Sequence, residues 1–506
     1  MDFFGNFRKY FFLIFSIFAA GFLFRIVNLT SWPIFADEAI YIRWAQVMRA
    51  EETLRFLPLS DGKQPLFMWS MIPFLKIFSD PLFAGRFLSV VCGVLSMLGI
   101  LIFSFLIFKN LKISIFALFL YAISPFNVFF ERLSLVDSML SMFGLWSFIF
   151  AFLALKKRRM DFAIFSGFCL GGALITKSPA LFFVLLLPLI LLLLDWEKSL
   201  KKKLSSLKVY FSLFAIIYII AYAIYNILRL GPNFHLLASR NLDYVFPISH
   251  VLESPFNPFL GHLKDVFVWF LYFSSPFMLI LFLIGIWEGF VAFRKQTVFL
   301  LVVFVIPILI QSEYAKVFTA RYILFVLPYF ILVSSLSILA IKKLKFLFLG
   351  LFSGFILFSL FQVITFAFVR ESSLLPENER SGYLEEWTAG YGIKEVSSYL
   401  IDFYKKNQEK EIVVGTEGFF GTLPDGLQIY LNSYPNIKVL GLGLNFREIP
   451  KPLLDSSKNG TPTFFVFNDS RGDISNYSNA SMIASYPKTK KNNGSFESLL
   501  FYRIMP

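Results

Sequence analysis

Apolar residues dominate the first 370 positions, in runs separated by short basic or polar connections. A helix needs about 20 largely apolar residues to cross the hydrocarbon core of a bilayer. Windows of that size predict eleven membrane-spanning helices, near 10–29, 84–107, 113–130, 138–155, 161–176, 179–195, 209–230, 266–290, 297–311, 322–341 and 346–369. The first run is long and no small-residue cleavage site follows it, so it reads as a retained span, not a signal peptide. The interval 30–83 is too long for a turn. Its amphipathic stretches 38–50 and 66–78 read as helices lying along the membrane surface, with a re-entrant or looped connection as the alternative. Beyond residue 369 the pattern changes. Residues 390–407 repeat apolar positions at helical spacing, and β-type runs follow at 412–414, 437–440, 463–467 and 499–504. Helix then strand, punctuated by Gly, Pro and Asn, predicts a small α/β domain. The expected organisation is an α-helical polytopic membrane module over 1–369 and a soluble α/β domain over 370–506.

Basic residues orient the spans, because Lys- and Arg-rich loops stay on the cytoplasmic side. Alternate connections carry Arg8-Lys9, Lys109 with Lys112, Lys156-Lys157-Arg158-Arg159, Lys201-Lys202-Lys203, Arg294-Lys295, and Lys342-Lys343 with Lys345. That register places the N-terminus in the cytoplasm of a plasma (inner) membrane. Residues 30–83, 231–265, 312–321 and the C-terminal domain then lie outside the cytoplasm. Composition agrees: 57% of residues are hydrophobic and 16% charged, where soluble domains carry about 25% charged residues. The 47 Lys and Arg against 33 Asp and Glu leave +14, an excess that would suggest nucleic acid. The loop distribution accounts for it as topology, so membrane lipids are the expected partners and nucleic acid is not. Cys92 and Cys169 lie in apolar runs and support neither a disulfide scaffold nor a thiolate metal site. His235, His250 and His262 share the 231–265 loop, but spacings of 15 and 12 fit no compact zinc motif. Solvent-exposed or packing roles are expected for them.

Charged groups beside or within a bundle are costly and are functional candidates. Asp37 and Glu38 open the amphipathic stretch after the first span. Such a pair can cap its helix, bind a divalent cation, or supply a general base. Lys63 precedes Gln64-Pro65 at a helix start, where a cation and free N–H groups suit a phosphate. Arg132 and Asp137 flank the start of a span, with a mutual ion pair as the simplest reading. Lys177 stands in Thr176-Lys177-Ser178-Pro179, and Arg321 in Thr319-Ala320-Arg321-Tyr322. Lys63, Arg132, Lys177 and Arg321 are all predicted on the non-cytoplasmic side, where topology gives no reason for them. With Asp37 they would suit a lipid phosphate whose leaving charge must be neutralised.

The ordered set Asp37-Glu38, Lys63-x-Pro65, Arg132-Leu-x-Leu-x-Asp137, Thr176-Lys177-x-Pro179 and Arg321-Tyr322 resembles the GT-C membrane glycosyltransferases over roughly residues 10–340. The likeness is strongest to the branch holding protein O-mannosyltransferases and the lipid A aminoarabinose transferase. It implies a polyprenyl-phosphate-linked sugar donor and inverting transfer to a glycan, lipid or protein acceptor on the non-cytoplasmic face. By that resemblance Asp37 matches the catalytic acidic residue and Asp137 the second acidic position. Lys63 and Arg321 match positions associated with lipid phosphate, and Lys177 and Arg132 are further candidate cations. Gln64 departs from the Lys-Pro-Pro common in the family, which weakens inference about the sugar. Glu38 would orient Asp37, bind a metal or cap. A divalent cation is compatible with the superfamily but not demanded. The C-terminal domain is a candidate for acceptor recognition. Two rivals are a secondary transporter or flippase, for which internal two-fold similarity is lacking, and a membrane-anchored binding protein, for which eleven spans are excessive.

Overall fold

The computed structural model of the chain describes residues 3–196, 199–407 and 411–506, and the Arg8 side chain lies outside the described set. The chain forms two compact units, each assembled from separated segments. The first holds residues 1–29, 53–69 and 86–369, and the second 30–52, 70–85 and 370–506.

In the first unit, apolar length becomes helix. Among the described residues, eight helices are long and apolar enough to cross a membrane: Lys9–Ile26, Pro81–Phe108, Val136–Lys157, Lys201–Leu230, Phe259–Ala292, Arg294–Tyr314, Ala320–Lys342 and Lys345–Phe368. The other three expected spans fall on the shorter apolar helices Leu111–Ile123, Met160–Leu174 and Ser178–Leu193. Proline explains the shortening of two of them, since it removes a backbone donor and clashes with the preceding turn. Pro125 starts a separate short helix, Pro125–Phe130, and Pro179 and Pro188 tighten the Ser178–Leu193 run into 3₁₀ turns. Phe12, Phe211 and Phe346 are exposed on helix faces, a pattern suited to lipid and unsuited to water. Inward-facing phenylalanines pack edge to face or tilted instead: Phe126, Phe129 and Phe130 gather around Phe273 at centroid distances of 4.9–5.5 Å.

This interior also holds charge. Arg25, fully buried, donates from Nε to Glu131 Oε2 at 2.6 Å and from NH1 to the carbonyls of Gly21 and Ala122. Tyr121 OH donates to the second Glu131 oxygen at 2.6 Å. A Cβ at Gly93 would stand 2.5 Å from Glu131 Oε2, so only glycine lets the helix backbone approach this ion pair.

In the second unit, β1 (Ile34–Phe35) pairs antiparallel with β2 (Ala389–Gly390), leading into the helix α-N (Ala36–Ala50). The remaining strands are β3 (Ile412–Thr416), β4 (Ile437–Gly441), β5 (Thr463–Asn468), β6 (Ala480–Pro487) and β7 (Ser498–Ile504). They form one sheet in the order β4-β3-β5-β7-β6, parallel for β4-β3-β5 and antiparallel for β5-β7-β6. β3 and β5 are buried along their whole length, as continuous apolar runs in a covered parallel sheet should be. Val413, Leu453, Phe465, Phe467 and Tyr502 make a core on one face. The expected α/β character is present, and the structure adds β6 and the helices Asp425–Leu431 and Lys451–Lys458. β6 is an edge strand with mostly half-exposed and exposed positions, so it lacks the apolar alternation that marks a strand in sequence.

Asp425 is a buried acid of this unit. Its Oδ2 accepts from the Gly421 N–H at 2.7 Å. Burial pushes its pKa up to about 6, with that N–H and the charge of Arg43 pulling the other way. An acid that holds its proton more tightly folded than unfolded makes stability fall as pH rises between the two pKa values, from about 4 to about 6. The full effect is roughly 3 kcal/mol at most. Acidification from pH 7 to pH 5 should therefore raise the melting temperature of the wild type more than that of Asp425→Asn. Equal pH responses of the two proteins would refute this assignment.

Candidate active site

The residues of interest in the first unit sit on connections held by backbone and side-chain hydrogen bonds. The 3₁₀ turn Leu57–Asp61 ends at Gly62, whose φ of 65° is left-handed, and the Lys63 N–H donates to Pro58 O at 3.0 Å. A Cβ at Gly62 would also stand 2.5 Å from Arg240 Cβ, so glycine serves both geometry and space. Asp61 lies 3.2 Å from Lys63 and 2.5 Å from Arg240, and so joins both cations. Next along, the Leu66 N–H donates to Ile175 O at 3.1 Å and Gln64 Nε2 to Ser178 Oγ at 2.9 Å. Two motifs remote in sequence, Lys63-Gln64-Pro65 and Thr176-Lys177-Ser178-Pro179, are thereby laid side by side.

Lys177 is the junction. Its Nζ donates to Asp137 Oδ1 at 2.6 Å and lies 4.1 Å from the centre of the Tyr322 ring. The Arg321 guanidinium lies 5.4 Å from that ring. Asp137, Lys177, Arg321 and Tyr322 thus meet, with the Gln64–Ser178 contact on the adjoining turn. Lys177 keeps 20% of its side chain exposed and Lys63 25%, so both can reach a ligand. Asp137 is buried, and its Oδ2 has no hydrogen-bond partner among the described residues. A buried carboxylate oxygen normally has one, which makes Oδ2 an acceptor suited to a ligand hydroxyl. The chemistry available is anion neutralisation by flexible cations, two of them sharing one aromatic ring.

Some expectations need correction. Arg132 and Asp137 do not pair. Arg132 is buried, and its NH1 and NH2 donate to the carbonyls of Phe24, Arg25 and Asn28. It satisfies carbonyls at the C-terminal end of the first helix, as a cation can. That commitment conflicts with a place on a lipid phosphate. In the second unit Glu38 is buried and accepts from the Phe35 N–H at 3.0 Å. This geometry performs the capping role weighed for it. Asp37 is half-buried in the first turn of the same helix. His250 stacks on Phe246 at 4.1 Å and His262 bonds Ser312 O at 2.9 Å, both packing roles. Among the described residues no group of three His, Cys, Asp or Glu side chains converges as a metal site. Sequence reasoning missed the ring of Tyr322 as a platform, the Asp61–Arg240 pair, and Arg25–Glu131–Tyr121. A charge inside an apolar run was the available signal for Arg25.

Residues 62–225 match the family model described as dolichyl-phosphate-mannose-protein mannosyltransferase. No curated protein matches the sequence. Among solved structures, ArnT from Cupriavidus metallidurans bound to undecaprenyl phosphate aligns over 97% of this chain and 98% of its own, with TM-score 0.54 and 13% identity. The same enzyme in its apo state aligns over 98% of both chains, with TM-score 0.55 and 12% identity. The chain has the GT-C fold. Archaeal AglB from Archaeoglobus fulgidus, in complex with an inhibitory peptide and a dolichol-phosphate, aligns over 91% of this chain and 70% of its own, with TM-score 0.48 and 14% identity. The ArnT alignments bear out the GT-C fold that the ordered motifs implied. The family-model match contains Lys63, Arg132, Asp137 and Lys177, while Asp37 and Arg321 lie outside it.

Proposed function

We propose that this GT-C protein is an inverting glycosyltransferase that moves a sugar from a polyprenyl-phosphate donor to an acceptor hydroxyl or amine on the non-cytoplasmic face. The observation that carries the reading is the meeting of Lys177, Asp137, Arg321 and Tyr322 beside the segment bearing Lys63. In the proposed step the acceptor oxygen or nitrogen bonds to the anomeric carbon as the bond from that carbon to the phosphate oxygen breaks. The electron pair leaves with the polyprenyl phosphate, and the acceptor proton goes to the Asp37 carboxylate. Charge growing on the phosphate is met by Lys63, Lys177 and Arg321. Asp137 holds Lys177 through one oxygen and offers the other to a donor hydroxyl. Arg132 is left out of the phosphate set, since its donors bind backbone carbonyls.

The test is purified protein with radiolabelled polyprenyl-phosphate sugar, scored for free polyprenyl phosphate. Lys177→Met should lower turnover by about 10²–10³, the usual loss for one charge-stabilising group. Substrate counterflow in vesicles without donor consumption would overturn the enzymatic reading in favour of a transporter.

A further inference from the structure

The second unit contains a polar groove of ≈ 680 Å³ that the proposed reaction does not use. Gln46 and Arg49, from the last turns of the Ala36–Ala50 helix, line it together with Asp80, Lys394, Tyr430 and Asn432. Its polar groups are held in place. Gln46 Nε2 donates to Ile429 O at 2.9 Å, and Asn432 Oδ1 accepts from Arg43 at 2.8 Å. Arg49 donates one N–H to Leu75 O at 3.2 Å. A guanidinium has five N–H donors, so Arg49 retains others for a ligand. Lys394 and Asp80 pair at 2.7 Å, presenting donors and an acceptor side by side.

That inventory selects a class of ligand. A hydroxyl donates and accepts at once, and amides with a paired Lys–Asp offer both functions within one wall. Tyr430, with Lys394 Nζ 6.0 Å from its ring centre, and Phe78 add aromatic rings of the kind that pack on the C–H side of a pyranose. A phosphate would find the charge of Lys394 taken up by Asp80 and Arg49 as its remaining cationic partner, whereas a neutral polyol matches the donors and acceptors of the wall alike. The lining is too polar for an acyl chain. The groove also shares a helix with the proposed base. Asp37 stands in the first turn and Arg49 in the last, twelve residues and about 18 Å along the axis. A ligand bound there would lie a few pyranose rings from Asp37.

We infer that the groove is a remote acceptor subsite that holds an uncharged, hydroxyl-rich oligosaccharide stretch away from the residue being glycosylated. The inference rests on the glycosyltransferase reading for its purpose, but binding can be measured without turnover. The full chain in detergent is titrated with mannotetraose, cellotetraose and chitotetraose by saturation-transfer NMR, and separately with nanodiscs of phosphatidylglycerol. At least one tetrasaccharide should bind with millimolar affinity or better. Tyr430→Ala combined with Asn432→Ala should weaken it at least tenfold, and Arg49→Gln, which removes the guanidinium, should weaken it too. Melting curves establish that the variants are folded. Failure of all three sugars to bind, binding indifferent to these substitutions, or occupancy by phosphatidylglycerol alone would overturn the inference. Donor consumption is scored in parallel. Tetrasaccharide binding lost in the variants, with no donor consumption by wild type, would leave the groove standing and remove the transferase.

Discussion

Asp37→Asn lowers sugar transfer by about 10²–10⁴, the range that a positioned general base contributes. Asparagine keeps the shape of the side chain and its first-turn position but cannot take a proton. The fold should tolerate the change. Losing one anion from the first turn of a helix costs about 0.3–1 kcal/mol, and the cap itself belongs to Glu38. Expression and elution profile should match wild type, while release of polyprenyl phosphate from labelled donor collapses. Asp37→Glu should recover part of the activity, because it restores the proton acceptor at a displaced position. Equal turnover by wild type and Asp37→Asn would remove the base from the mechanism.

Glu131→Ala has the largest expected effect on folding. It leaves the fully buried Arg25 guanidinium without its carboxylate and Tyr121 OH without its acceptor. Removing one partner of a buried pair typically costs about 3–5 kcal/mol, because the other charge stays buried and unpaired. Much of the protein should elute as aggregate in fluorescence-detected size exclusion, and the surviving fraction should melt well below wild type. Replacing both charges, as Arg25→Met with Glu131→Met, should recover a good part of the loss, since no uncompensated charge then remains. A wild-type melting temperature for Glu131→Ala alone would mean that Arg25 is solvated after all.

Features that depend on local sequence were legible. Span positions follow from run length, and the strands β3, β4, β5 and β7 stand where β-rich runs predicted them. β6 was not legible, because an edge strand with one partner can be built from Ser, Ala and Met without a continuous apolar face. The candidate site was legible as a set of residue types but not as a set of partners. Asp137 could be seen as an acid at a helix start, yet its partner proved to be Lys177, not Arg132. Arg132 in turn was indistinguishable from a ligand-binding cation until the carbonyls of Phe24, Arg25 and Asn28 were seen to take its donors.

By itself, the sequence determined that this is a chain of apolar helices followed by an α/β region, and which polar residues punctuate it. Those properties depend on periodicity and composition within windows of some twenty residues, and hydrophobic transfer acts on each window almost independently. Tertiary structure alone decided which charges meet. Asp137 and Lys177 are 40 residues apart, Arg25 and Glu131 106, and Asp61 and Arg240 179. Pairings at such separations carry no local signature. They arise because close packing brings particular turns together, and a charge left among apolar side chains must find its complement there or destabilise the fold.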